Sequence, residues 1–107
     1  MELSVIVPVY RSEECLPELA RRVQEAVAGR IREYELILVN DGSPDASWKV
    51  ISSLADTYPF VVGVNLRKNV GQDNAIMAGM HQATGDSVVV MERAASGPPV
   101  GAPKDVR

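Results

Sequence analysis

Cysteine, histidine, tryptophan and phenylalanine each occur once in the 107 residues. Alone, Cys15 cannot close an internal disulfide, which excludes a disulfide-stapled scaffold and fits a reducing, cytoplasmic setting. His81 has no cysteine or aspartate beside it at metal-ligand spacing, so it is expected on a helix surface rather than on a metal. Basic residues are not in excess: 11 Lys and Arg stand against 14 Asp and Glu, a net charge of −3, which argues against a nucleic-acid footprint. No stretch approaches the roughly 18–20 consecutive apolar residues of a membrane span. The N-terminus has no basic region leading into a long apolar run, so no signal peptide is expected. No G-x-G-x-x-G and no Walker-type loop occurs, which removes the dinucleotide and P-loop classes.

What is present is ordinary globular composition, 46% apolar and 23% charged, in a chain long enough for one domain with a thin stability margin. Leu3 to Val9 is apolar and β-branched, the pattern of a strand buried on both faces. A helix is expected from near Glu13, with Leu16, Leu19, Ala20, Val23 and Val27 at helical spacing, Pro17 in its first turn and Gly29 closing it. Tyr34 to Asn40 is a second buried strand. Asp41 to Asp45 is a turn with a helix-start signal, followed by the stripe Trp48, Ile51, Leu54 and Ala55. Phe60 to Leu66 is a third strand, Gln72 to about Ala83 a third helix and Ser87 to Met91 a fourth strand. Met77, Met80 and Met91 are expected in the core. The order β-α-β-α-β-α-β predicts an α/β fold with a mostly parallel sheet and right-handed crossovers. In such sheets ligands bind beyond the carboxyl ends of the strands, where strand order reverses.

Three strand exits therefore carry the chemistry. The first reads Pro8-Val9-Tyr10-Arg11-Ser12-Glu13-Glu14. Proline stiffens the exit, Tyr10 offers a ring face and a hydroxyl, and Glu13 or Glu14 suits either a ribose or the first turn of a helix. The second reads Asn40-Asp41-Gly42-Ser43-Pro44-Asp45. The Asp41 carboxylate can accept from a base N–H, and Gly42 lets backbone come close to a ligand. Ser43 and Asp45 are read as helix caps. The third reads Arg67-Lys68-Asn69-Val70-Gly71-Gln72. Its two cations can meet phosphate near the N-terminus of the following helix, or form a solvated turn, with Asn69 and Gly71 serving the turn geometry.

Together four stretches resemble the family 2 (inverting, GT-A fold) glycosyltransferases: Ser4 to Tyr10, Glu35 to Ser43, Arg67 to Gln72 with Ala75 to Gly79, and Gly85 to Met91. The third resembles especially the branch that moves sugars onto dolichyl or undecaprenyl phosphate. The resemblance covers about residues 3 to 91. It implies a Rossmann-like, nucleotide-sugar-binding half of a GT-A domain over 1–91, in which Pro8, Val9, Tyr10 and Glu13 line a nucleotide pocket. Asp41 would read the base, with Asn40 and Gly42 beside it in the nucleotide-sugar site, and Arg67 with its neighbours Asn69, Gly71 and Gln72 would lie near the ribose and diphosphate. It also implies Mg²⁺ or Mn²⁺ in the parent family, a UDP- or GDP-sugar donor, and a lipid-phosphate or saccharide acceptor. In full length the family works in the cytoplasm or at the cytoplasmic face of the membrane.

The chain departs from that pattern at Arg11 and Ser12, where the family often has Asn-Glu, at Asn40, where a first Asp is common, and most seriously after Met91. The family reads roughly Asp-x-Asp-Leu-Gln-Asp-Pro-Pro there, whereas this sequence reads Glu92-Arg-Ala-Ala-Ser-Gly-Pro-Pro99. Both metal-binding aspartates are missing, so no metal or catalytic residue is assigned and the chain is expected to be an N-terminal fragment inactive alone. Residues 92–107 have no periodicity and hold three of the seven prolines. Read one nucleotide later, the degenerate codons for Ala95 to Val106 permit Leu-Gln-Asp-Pro-Pro-Ser-Glu-Leu-Pro-Lys-Met-Tyr, whose first five residues are the family's. A frame slip near residues 92 to 94 is therefore expected. The rival readings are a non-catalytic nucleotide-binding or regulatory module and a receiver-like module. The second lacks the acidic pair it would need, since Tyr10-Arg11-Ser12 follows strand one.

Overall fold

The structure is a computed structural model and describes residues 1–91; the tail from 92 to 107, with the expected frame slip and the lost Asp-x-Asp element, lies outside the described residues. The chain runs β1 (Leu3–Val9), α1 (Leu16–Val27), β2 (Tyr34–Asp41), α2 (Ser47–Thr57), β3 (Val61–Leu66), α3 (Gln72–Gln82) and β4 (Ser87–Val90). All pairings are parallel, in the order β3-β2-β1-β4. The first three strands are laid down in one direction from β1. The next crossover returns past β1 to its free side, so the order reverses between β1 and β4.

The period-2 alternation of β1 and β2 sorts their side chains onto two cores. Val5, Val7, Val9, Leu36 and Leu38 face α1 and α2, where they meet Leu16, Leu19, Ala20, Val23, Ile51 and Leu54. Ile6, Ile37 and Val39 face the other way, onto Ala75 of α3. Helices on both faces explain why both central strands are apolar throughout. Helix α3 lies very close to the sheet: a Cβ at Gly79 would stand 2.5 Å from Ile6 Cγ2 and 3.0 Å from Val39 Cγ2. Small residues at 75 and 79, one turn apart, form its buried face.

Two expectations need correction, the start of α1 and the placement of Met77 and Met80. Helix α1 begins at Leu16 and not near Glu13, because the Cys15 amide closes a tight turn onto the Ser12 carbonyl at 3.0 Å and the helix follows it. Pro17 still falls in the first turn, where its missing N–H costs no intrahelical bond. Cys15 is the partly buried N-terminal boundary residue of that helix, and burial together with the neighbouring Glu14 carboxylate pushes its thiol pKa up. Met77 and Met80 are not core residues. They are 56% and 48% exposed, since Ala75 and Gly79 turn the opposite side of α3 to the sheet. Met91 does pack, partly buried, against the first core.

A polar lock closes the end of the sheet where the strands begin. Ser4 and Glu35 are register partners on β1 and β2, and the Ser4 hydroxyl donates to Glu35 Oε2 at 2.6 Å. The Thr84 amide and hydroxyl donate to the same oxygen at 2.8 and 3.1 Å, and the Gly85 amide donates to Ser4 Oγ at 2.8 Å. This ties the α3–β4 link under the two central strands. Burial alone would raise the Glu35 pKa; the hydrogen bonds from Ser4 and Thr84 outweigh it and leave the carboxyl below its ordinary range.

A cleft at the carboxyl edge of the sheet

At the opposite edge, where β1, β2 and β3 end, lies a cleft of about 270 Å³ walled by Pro8, Val9, Tyr10, Asp41, Asn69, Gly71 and Gln72. Each exit contributes. Proline and valine complete β1 and aim the chain outward, which leaves Tyr10 at the mouth, 44% exposed. The chain then turns through Arg11, whose φ of 52° is the one left-handed value at a described residue other than glycine. Bonds to α2 and its lead-in hold that turn: the Arg11 amide donates to Ser43 Oγ at 2.9 Å and the Ser12 amide to Ser47 Oγ at 3.1 Å. The Arg11 guanidinium lies over the Tyr10 ring, 5.6 Å from its centroid, within cation–π range.

Asp41, the last residue of β2, is 3% exposed, and its carboxylate fastens the third exit. One oxygen accepts the Val70 amide at 2.8 Å. The other accepts the Asn69 side-chain amide at 3.2 Å, and Asn69 also bonds the Asp41 carbonyl at 3.2 Å. Gly42 makes room for this. At its φ of 64° an added Cβ would stand 2.3 Å from the Asn69 amide nitrogen and the Lys68 carbonyl carbon, both backbone atoms. The loop held in this way delivers Asn69, Gly71 and Gln72 to the cleft. Gly71, with φ 97°, precedes α3 with no side-chain cap, so no side chain covers the helix's first amides there.

Of the eleven residues expected at a site, the structure brings seven together as these walls and places four elsewhere. Glu13 turns to α2, where its Oε1 accepts the Ala46 amide at 3.2 Å. Asn40 is 4% exposed and bonds inside the protein, donating to Asn65 Oδ1 at 2.9 Å and accepting the Ser43 amide at 3.4 Å. The close approach that Gly42 permits is to the chain's own Lys68–Asn69 backbone rather than to a ligand. Arg67 leaves the same edge of the sheet but stands in solvent beyond the walls. Asp45 does serve the start of α2, from one residue earlier than a formal cap: it accepts the Ser47 amide at 3.0 Å and the Ser43 hydroxyl. Burial acts to raise its pKa, and the bonds from Ser43 and Ser47 prevail, holding the carboxyl down at about 2.

The cleft offers an aromatic wall, a carboxylate with lone pairs beyond those already used, a side-chain amide at Gln72 and backbone N–H groups at the start of a helix. That set suits a flat, hydrogen-bonding group with an anionic extension. It does not suit a divalent cation: among the described residues no group of three or more His, Cys, Asp or Glu side chains converges, and Asp41 is the one carboxylate in the walls. His81 is exposed in the last turn of α3. No helix of the described residues is long and apolar enough to cross a membrane.

Comparison with known proteins agrees with this architecture. The chain is 39% identical over 104 residues to the undecaprenyl-phosphate 4-deoxy-4-formamido-L-arabinose transferase of Klebsiella pneumoniae, and 41% identical over 104 residues to the enzyme of that name from Proteus mirabilis. Each alignment covers 96% of this chain and 32% of the relative, so the chain spans about a third of the length of the curated relatives it matches. In structure it is similar to residues 1–349 of S. aureus TarS in complex with UDP-GlcNAc, with a TM-score of 0.69 and 26% identity over 85% of this chain and 25% of that one. The mannosyltransferase PcManGT of Pyrobaculum calidifontis, in complex with GDP-Man and Mn²⁺, shares the fold at a TM-score of 0.67 and 23% identity, over 84% of this chain and 26% of that one. Residues 4–92 match the family model described as Glycosyl transferase family 2. With most of its length inside that match, the chain belongs to glycosyl transferase family 2.

Proposed function

We propose that this chain is the nucleotide-sugar-binding half of an inverting glycosyltransferase that moves a sugar from a UDP- or GDP-sugar to a lipid phosphate or a saccharide. The observation that carries this is the convergence of three strand exits on one cleft beside the reversal of strand order, the place where open α/β sheets hold their ligands. Similarity to undecaprenyl-phosphate sugar transferases favours the lipid phosphate. In the proposed arrangement the base lies against Tyr10 and donates an N–H to a remaining lone pair of Asp41, while Asn69, Gly71 and Gln72 face the ribose side. A phosphate acceptor is already anionic and needs little help from a general base; a saccharide acceptor needs a carboxylate to take its proton. The described residues of this chain supply neither that base nor a metal-binding cluster. The full-length protein is placed in the cytoplasm or at the cytoplasmic face of the membrane.

Titration calorimetry with UDP and GDP tests the reading. The chain is expected to bind one of them, with little change on adding Mn²⁺, and to transfer no sugar by itself. Heat of binding for neither nucleotide overturns the proposal. Binding without turnover also fits a regulatory nucleotide-binding module, a second reading favoured by the missing Asp-x-Asp sequence after Met91. The two separate when the family's downstream region is joined to the chain: turnover then appears only if this half can serve catalysis.

We further propose that the nucleotide-binding half ends at about Met91 and that residues 92–107 are read out of frame. Sequencing the DNA across the Glu92 codon decides it. An alternative frame that continues into family-like sequence supports the slip, and a stop within a few codons ends it.

A further inference from the structure

We propose that Arg11 is the residue that binds the diphosphate of the donor, a role that rests on the nucleotide reading above. The first observation is conformational. Arg11 is held at φ 52°, a left-handed backbone that glycine or asparagine adopts with less strain than a long side chain. An arginine kept in such a position points to a use for its head group.

The second observation is the fixing of that turn. The Arg11 amide bonds Ser43 Oγ, the Ser12 amide bonds Ser47 Oγ at 3.1 Å, and the Ser12 hydroxyl bonds the Tyr10 carbonyl at 3.0 Å. The direction in which Arg11 leaves the chain is therefore set by bonds to α2 and its lead-in and by the turn's own Ser12–Tyr10 bond. The third observation is where the cation lies: over the ring of Tyr10, which is a wall residue although Arg11 itself is not.

The fourth is charge. Arg21 and Arg22 are paired with Glu18 and Glu25 on the outer face of α1, whereas among the described residues no carboxylate lies within 4.0 Å of the Arg11 guanidinium. The walls carry the single carboxylate Asp41 and no cation, and the described residues gather no metal-binding cluster. A nucleoside diphosphate seated with its base near Asp41 and Tyr10 brings an anionic tail into a cleft whose described walls offer it the backbone N–H groups at the start of α3 but no cationic side chain. The guanidinium fork of Arg11 matches phosphate oxygens in pairs and lies against Tyr10, one of the wall residues. Arg67 and Lys68, expected from the sequence to meet phosphate, are exposed at the end of β3; Arg11 is exposed too, and its stacking on the wall residue Tyr10 is what sets it apart.

Calorimetry of the 107-residue chain with uridine and UDP, or guanosine and GDP, tests the assignment, using Arg11→Asn, Arg11→Lys and Arg67→Gln. Arg11→Asn is expected to bind the diphosphate roughly tenfold more weakly while binding the nucleoside as the parent does. Arg11→Lys, which keeps the charge but not the fork, is expected to fall between. Because asparagine relieves the left-handed backbone, the thermal midpoint of Arg11→Asn should equal or exceed that of the parent; Arg11→Gly is a second unstrained replacement if asparagine fails to fold. Unchanged diphosphate affinity in the Arg11 variants, or a loss confined to Arg67→Gln, overturns the assignment. So does an equal loss for nucleoside and diphosphate, which would make Arg11 a prop for Tyr10. Failure of the parent chain to bind any nucleotide overturns the underlying reading instead.

Discussion

Asp41 and Gly42 show how one dipeptide can build a wall it does not itself complete. The carboxylate grips Val70 and Asn69 across the loop, and the missing Cβ lets Lys68 and Asn69 lie against the end of β2. Gly42→Ala is therefore expected to be costly twice over, through its left-handed φ and through a Cβ forced onto backbone atoms that no rotamer change can move. We expect a loss of more than about 2 kcal/mol of stability, measured by urea unfolding, together with weakened nucleotide binding as Asn69 and Gly71 are displaced. An alanine variant with parental stability would mean that the loop does not depend on this contact. The sequence shows that a glycine and an aspartate stand at a strand exit. It does not show that their partners lie 26 to 29 residues further on, and so it suggests a ligand where the chain itself arrives.

At the scale of elements, two joints depend on ionised carboxylates, one buried and one partly buried. Asp45 fixes the start of α2, and Glu35 fixes the link from α3 to β4 beneath β1 and β2. Both have folded-state pKa values below their ordinary ones, Glu35 below 4.5 and Asp45 at about 2 against 3.8. A depressed carboxyl contributes stability that is complete above the unfolded value and is lost as pH falls through the folded one. Stability should therefore hold down to about pH 4.5 and then decline toward pH 2 as Glu35 and Asp45 take up their protons. Thermal unfolding across that range checks this. Glu35→Gln, which keeps an acceptor but cannot titrate, should flatten part of the decline; an unchanged slope in that variant would remove Glu35 from the account. Neither joint was foreseen in full. Ser43 and Asp45 are legible as a helix-start signal, but Thr84 reaches Glu35 across 49 residues with nothing local to announce it.

For the whole molecule, the β-branched runs and helical stripes suffice to place four strands and three helices in order, because burial on both faces leaves β1 and β2 no polar alternation to confuse. They do not fix helix ends, as the turn from Ser12 to Cys15 shows, nor which side of α3 meets the sheet. There the signal was Ala75 and Gly79, small residues one turn apart, rather than the larger Met77 and Met80. The strand exits that form the cleft follow from the parallel topology alone. Which side chains face into it depends on contacts between exits, and so Glu13, Asn40, Gly42 and Arg67 turned out to have other surroundings.

Strand β2 begins beside Glu35 and ends at Asp41, six residues and roughly 20 Å of extended backbone later. One carboxylate anchors the foot of the molecule and the other organises its mouth, with a straight, fully packed rod between them. On the proposed reading, exchanging wall side chains such as Tyr10 or Gln72 would alter what the mouth accepts while leaving the hydrogen bonds of Ser4, Glu35 and Thr84 at the foot in place.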